Sequence, residues 1–211
     1  MKETAKGNVS LYVVLMFTLC ALTYFFRAGS MAVMWSPAVA AIIVSLLRRR
    51  SLKEIGWRGF LVPELAKWMS FRKTALVSGA IWCVWHMPPI LSGSYGTTDT
   101  PRWYQIGCFS AMVLSSAVVL AWLRMKSGSI WPVTIMHATH NGVIQAFFDR
   151  ITKDSGHTHY FSGEFGVALV LPFAALAFYC ITNREGSADA NDVLNPSLDG
   201  RMREQLLESA R

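Results

Sequence analysis

No lysine, arginine, aspartate or glutamate interrupts six long stretches of this 211-residue chain: Val9–Phe26, Met31–Leu47, Thr74–Leu91, Ile106–Leu123, Ile130–Phe148 and about Phe165–Ile181. A helix at the surface of a soluble domain shows a polar face at every turn, and these runs show none. Each is near the roughly 17–25 residues that a helix needs to cross the hydrocarbon core of a bilayer. Cysteine is scarce as well. The four cysteines, Cys20, Cys83, Cys108 and Cys180, all lie inside the apolar runs. That excludes a disulfide framework or a metal-binding spacing and leaves small buried hydrophobes. No low-complexity segment is present, and no repeat or charged pathway of the kind a transporter or channel would need is visible.

What charge there is collects between the runs. Counting lysine and arginine, sixteen fall in the N-terminal segment, the loops after the second and fourth runs, and the tail, against four in the alternate loops. The positive-inside rule then places both termini and the long basic loop in the cytoplasm. The net charge of +7 is therefore a topology signal, and nucleic acid is not expected as a partner. Val9–Phe26 is too long for a signal-peptide core, and Phe26-Arg27-Ala28 makes a poor cleavage site, so a retained helix is expected. Trp35, Trp103, Tyr104, Trp131, Tyr160 and Tyr179 fall near the ends of the runs, where such rings favour the headgroup level. The expected fold is an all-α, polytopic transmembrane bundle of about six spans. Residues 1–182 form the membrane domain, and residues 183–211 form a polar, disordered cytoplasmic tail.

Two runs carry polar groups that lipid tolerates only for a reason. His86 lies in the third, and His137, His140 and Asn141 lie in the fifth. Such groups face the bundle interior and mark a functional site by default. His137 and Asn141 are four apart, one above the other on a single helix face. Interhelical hydrogen bonding would account for one such residue, at about 0.6 kcal/mol, but not for three on two helices. His140 points away from that face and is expected to be a packing or supporting group, and His157 and His159 are expected in solvent. Counted from the cytoplasmic ends of their runs, His86 lies roughly 18 Å deep and His137 only about 10 Å.

The basic loop contains Ser51-Leu52-Lys53-Glu54-Ile55-Gly56-Trp57-Arg58-Gly59-Phe60-Leu61-Val62-Pro63-Glu64-Leu65. Ser51 and Glu54 have the spacing of a capping box. Two readings stand for this segment. It is either an amphipathic helix lying in the interface, or it brings Glu54 and Arg58, also four apart, to the mouth of the bundle as an ion pair near the histidines. Peptide hydrolysis would use such a set: a carboxylate raised toward neutrality to activate water, with histidine and asparagine as donors to the oxyanion. A divalent metal such as zinc, held by His86 and His137, is the other way to activate water. Spacing does not separate the two, and Glu64 is a reserve candidate for the base.

At these residues the chain resembles the CPBP family, the intramembrane CAAX-protease and bacteriocin-processing (Abi) proteins. Their three motifs are Glu-Glu-x-x-x-Arg, Phe-x-x-x-His and His-x-x-x-Asn. Trp82-Cys83-Val84-Trp85-His86 is similar to the second, with tryptophan where phenylalanine is common, and His137-Ala138-Thr139-His140-Asn141 matches the third. Pro132 also fits, and the resemblance runs from about Trp35 to Ile181. It implies a helical membrane bundle whose catalytic Glu54, Arg58, His86, His137 and Asn141 meet in a cavity open to cytoplasm or lipid. It also implies a substrate that is a membrane-associated peptide or protein, prenylated or carrying a leader.

The first motif departs from the pattern. Glu54 and Arg58 match its second glutamate and its arginine, but Lys53 stands where the family has the glutamate thought to activate water. A lysine cannot serve as a carboxylate base. Family members of this type carry an early stretch similar to Met34–Arg58 and a later one reading Glu-Glu-Ile-Gly-Trp-Arg-Gly-Phe-Leu. Here the two run together through a shared Ile-Gly-Trp-Arg, which implies an in-frame internal deletion that removed the first glutamate. Two functions follow from the resemblance: an intramembrane endopeptidase, or a non-catalytic membrane binding or immunity-type protein that keeps the fold.

Overall fold

A computed structural model describes residues 2–26, 29–48 and 56–183. Among these residues all regular secondary structure is helical, joined by short loops. Helix α1 spans Lys2–Phe25 and α2 spans Gly29–Leu47. A π-helical turn at Trp57–Leu61 runs into the short α3, Val62–Ala66. Then come α4, Phe71–Ser92, and α5, Arg102–Ser127. Helix α6, Trp131–His140, continues as a π-helical segment, Asn141–Phe148, closed by α7, Asp149–Ile151. Two further helices, α8 at Thr158–Phe161 and α9 at Val167–Thr182, complete the described chain.

Three of these helices, α1, α4 and α5, are long and apolar enough to cross a membrane, and Ala32–Leu47 and Val167–Thr182 are shorter apolar helices. The fifth apolar run differs from expectation, because it changes from α to π geometry in mid-course. The protein is a helical membrane bundle. Large apolar side chains remain on its outside, including Phe25, Leu171 and Phe178, as lipid contact demands.

Helix α5 is the centre, packing on α4, α9 and α6. Its approach to α4 depends on Gly79, where a Cβ would stand 2.8 Å from Ala117 Cβ. Small residues at such a crossing let helix backbones come close enough for dispersion to hold them without a hydrophobic drive. Gly93 (φ 80°) ends α4 and Gly128 (φ 65°) ends α5, the left-handed conformation that glycine adopts without cost. Helix α1 pairs with α2, and both pack on the segment 57–66.

That segment corrects one expectation. Leu61, Val62 and Leu65 are fully buried, and Arg58 and Glu64 are nearly so, so residues 57–66 belong to the interior of the bundle and not to its interface. The four cysteines are free, as expected. The Ser51–Glu54 capping box, Lys53, Glu54 and the tail from residue 184 lie outside the described residues.

Candidate active site

Trp82, one turn before His86 on α4, organises the site. The Arg58 guanidinium carbon sits 5.0 Å from its ring centre. The His137 ring lies 5.5 Å away and the His86 ring 6.0 Å away. Residues 58, 82, 86 and 137 come from three separate elements, so only the tertiary fold brings them together. A cation over an indole face is favourable, and more so away from water. Arg58 is further fixed by donating from Nη1 to Ser78 Oγ at 3.3 Å, while its carbonyl accepts from Arg124 Nε at 3.2 Å. Glu54, the partner expected for Arg58, lies outside the described residues.

His86 is held on every side. Its Nδ1 is 3.1 Å from the Trp82 carbonyl. A carbonyl only accepts, so Nδ1 carries the hydrogen and Nε2 the lone pair. Trp85, Phe109 and Tyr95 surround the ring at 4.5, 5.1 and 6.0 Å. Trp85 in turn donates to Ser36 Oγ on α2 at 3.3 Å.

The depth difference expected between His86 and His137 is spanned by Trp82, whose ring lies within 6.0 Å of both. Asn141 begins the π-helical segment, its amide reaching the carbonyls of both His137 and Ala138. Such wide turns inside helices occur frequently at functional sites.

His140 is where the structure adds most. Its Nε2 lies 2.9 Å from Glu164 Oε1, in a pair nearly closed to solvent, and its ring stands edge-on to Phe173 at 5.6 Å. Tyr95 donates to the other oxygen, Oε2, and the Gln145 amide is a further polar neighbour of the same carboxylate. His140 and Gln145 are five apart. An α-helix would place them roughly 140° apart around the axis, whereas the wider π turn, bonded i to i+5, brings them toward one side. Burial alone would push the Glu164 carboxyl up, but the hydrogen bonds from His140 and Tyr95, with the Gln145 amide, outweigh it and hold the group below the usual carboxylate range. Burial, with the Glu164 charge beside it, pushes the Tyr95 hydroxyl up, so it remains a donor. Among the described residues Glu164 is a carboxylate bonded to His140 and near enough to act electrostatically on His86 and His137.

Glu64, the reserve candidate for a base, is elsewhere. It accepts from Asn8 Nδ2 at 2.8 Å and pairs with Lys67, as a clamp between α1 and α3. His159 is not freely solvated, since its Nε2 stands 3.3 Å from Asp99 Oδ2, whereas His157 is exposed. Among the described residues, a donor group compact enough for a metal ion is Asp99 and Asp154 on loops with His159 in α8; His86 and His137 do not belong to it.

The matches to known proteins fall on this same region. A family model described as type II CAAX prenyl endopeptidase Rce1-like covers residues 32–143, and the chain belongs to that family. It is similar to a protein named CAAX prenyl protease 2 from Methanococcus maripaludis, with 27% identity over 96 residues. Those residues are 44% of this chain and 35% of the relative, so the chain matches about a third of that protein's length. No solved structure matches. Of the residues around Glu164, Tyr95 and His140 lie within the segment that the family model covers, and Gln145 and Glu164 lie beyond it.

Proposed function

We propose that this chain is an intramembrane endopeptidase that hydrolyses a peptide bond in a membrane-associated substrate, a prenylated protein C terminus being the class its family suggests. The observation that carries the reading is the convergence of Arg58, His86 and His137 on Trp82, with Asn141 one turn beyond His137. Hydrolysis adds water across the C–N bond. A carbonyl placed beside His137 and Asn141 would direct its developing oxyanion at their N–H groups, and one such donor is worth roughly 10²–10³ in rate. Arg58 adds a fixed positive charge, and Trp82, Trp85 and Phe109 exclude water. The motifs leave the proton acceptor unfilled, because Lys53 stands in place of a carboxylate.

The topology that fits the charge pattern is a multi-pass protein of the cell membrane with both termini in the cytoplasm. Reconstituted in liposomes, the chain should cleave a prenylated CAAX peptide, and His137→Ala should abolish cleavage. Equal rates for the two would refute the peptidase. Lys53 favours a second reading, a non-catalytic protein that binds the same peptide. Saturable binding of the peptide without any turnover would establish that one.

A further inference from the structure

We infer that His140, held by Glu164, is the proton acceptor of this site. The assignment rests on the peptidase reading. Three observations carry it. The first is the pair itself: a nearly buried imidazole whose Nε2 is 2.9 Å from a buried carboxylate oxygen. An ionised carboxylate that accepts from Tyr95 as well can only accept from the ring, so Nε2 bears the hydrogen. Nδ1 then holds the lone pair and is the basic atom. A carboxylate behind an imidazole fixes its tautomer and stabilises the imidazolium that forms when the ring takes a proton.

The second observation is placement. His140 stands three residues beyond His137, about 4.5 Å along the axis, and next to Asn141. Tyr95 links the two sides, donating to Glu164 while its ring lies 6.0 Å from that of His86. The third is the wide turn. Glu164 is bonded to His140, the last residue of α6, directly before Asn141 where the π-helical segment begins, so one carboxylate holds the basic ring at the start of the turn that carries the amide donor.

The step balances with these groups alone. Nδ1 of His140 takes a proton from water as the water oxygen bonds to the carbonyl carbon, whose π electrons move to the oxygen near His137 and Asn141. As that oxygen re-forms the double bond, the C–N bond breaks and the nitrogen takes the proton back from Nδ1. The products are a carboxylic acid and an amine, and His140 returns to its starting form. Glu164 does not touch the reacting atoms and is a positioning residue.

The test uses the full chain in liposomes with a prenylated CAAX peptide as probe, alongside ¹⁵N spectra of the histidine rings. His140→Gln and Glu164→Gln should each lower kcat by about 10²-fold or more while KM stays within about threefold, and Glu164→Asp should recover part of the loss. The spectra of the unaltered protein should show the hydrogen of His140 on Nε2. A hydrogen on Nδ1 would overturn the assignment without any variant having to fold. Cleavage by His140→Gln within threefold of the unaltered rate would overturn it while leaving the peptidase standing. No cleavage by the unaltered chain would remove the peptidase and this role together.

Discussion

Glu64 and Glu164 are equally hidden, at 3% and 7% exposed, and each spends its oxygens on named partners, yet they do opposite kinds of work. Glu64 meets an amide and an ammonium, Asn8 and Lys67, neither of which changes protonation near neutral pH. Glu164 meets a histidine, a tyrosine and Gln145, and two of those are acids or bases in their own right. A buried carboxylate facing a fixed cation is a clamp. One facing an imidazole governs where a proton sits. Burial and hydrogen-bond count do not tell the two apart; the chemistry of the partners does.

The sharpest way to break that contrast is through the rate. His137→Ala removes a donor beside Asn141 and should cut cleavage of the liposome substrate by roughly 10²–10³ with little change in melting temperature. If the rate holds, the oxyanion side of the site is wrong. Next in size is Glu64→Ala, which leaves the Asn8 amide buried without this acceptor and breaks a pair whose Lys67 still reaches water. A cost of about 2–4 kcal/mol in unfolding free energy is expected, with cleavage per folded molecule within twofold. Denaturant titration in detergent measures the first and initial rates the second.

Tyr95→Phe comes third. It removes a donor to a charged acceptor, worth about 1.5–3 kcal/mol, and should loosen Glu164 while leaving the Glu64 clamp intact. The change should appear as lower stability together with a several-fold fall in kcat. The smallest effect is in pH. The folded state holds the Glu164 carboxyl below its ordinary range, so the stability this group contributes is full above the ordinary carboxylate pKa. It is lost as pH falls through the lower, folded value. Melting temperatures followed into the acid range should fall less steeply in Glu164→Gln, and identical slopes would show that the carboxylate is not held in its charged form.

Much of this was legible in the sequence. Six runs without charge demanded a helical membrane bundle, because bilayer hydrocarbon leaves backbone groups no other way to be satisfied. His86 and His137 stood out because polar groups inside apolar runs need a reason, Arg58 through its spacing from Glu54 in the basic loop, and the structure gathers all three about one indole. The segment around Arg58 was harder. Its mixture of leucine, tryptophan and basic residues fits an interface as well as an interior, and only the packing of Leu61 and Leu65 against α1 and α2 decides between them.

The Glu164 cluster was not legible. Its members, Tyr95, His140, Gln145 and Glu164, lie up to 69 positions apart, and helical periodicity carries no information about such pairings. For His140, the α-helical phase of α6 says only that it leaves the face of His137, and nothing in it points to a carboxylate 24 positions further on. One signal was available: Glu164 is the carboxylate set directly against the start of an apolar run, between Gly163 and Phe165, where a charge pays a desolvation cost unless something inside receives it.

The most direct test of the account sets the two glutamates side by side. Glu64→Gln and Glu164→Gln are isosteric, and both cleavage of the prenylated peptide and thermal unfolding can be followed in the same liposomes. The account predicts that Glu164→Gln loses cleavage far beyond what its modest fall in melting temperature explains, and that Glu64→Gln loses melting temperature with cleavage per folded molecule nearly kept. Parallel losses of rate and stability in both variants would contradict it, and would make Glu164 a second clamp.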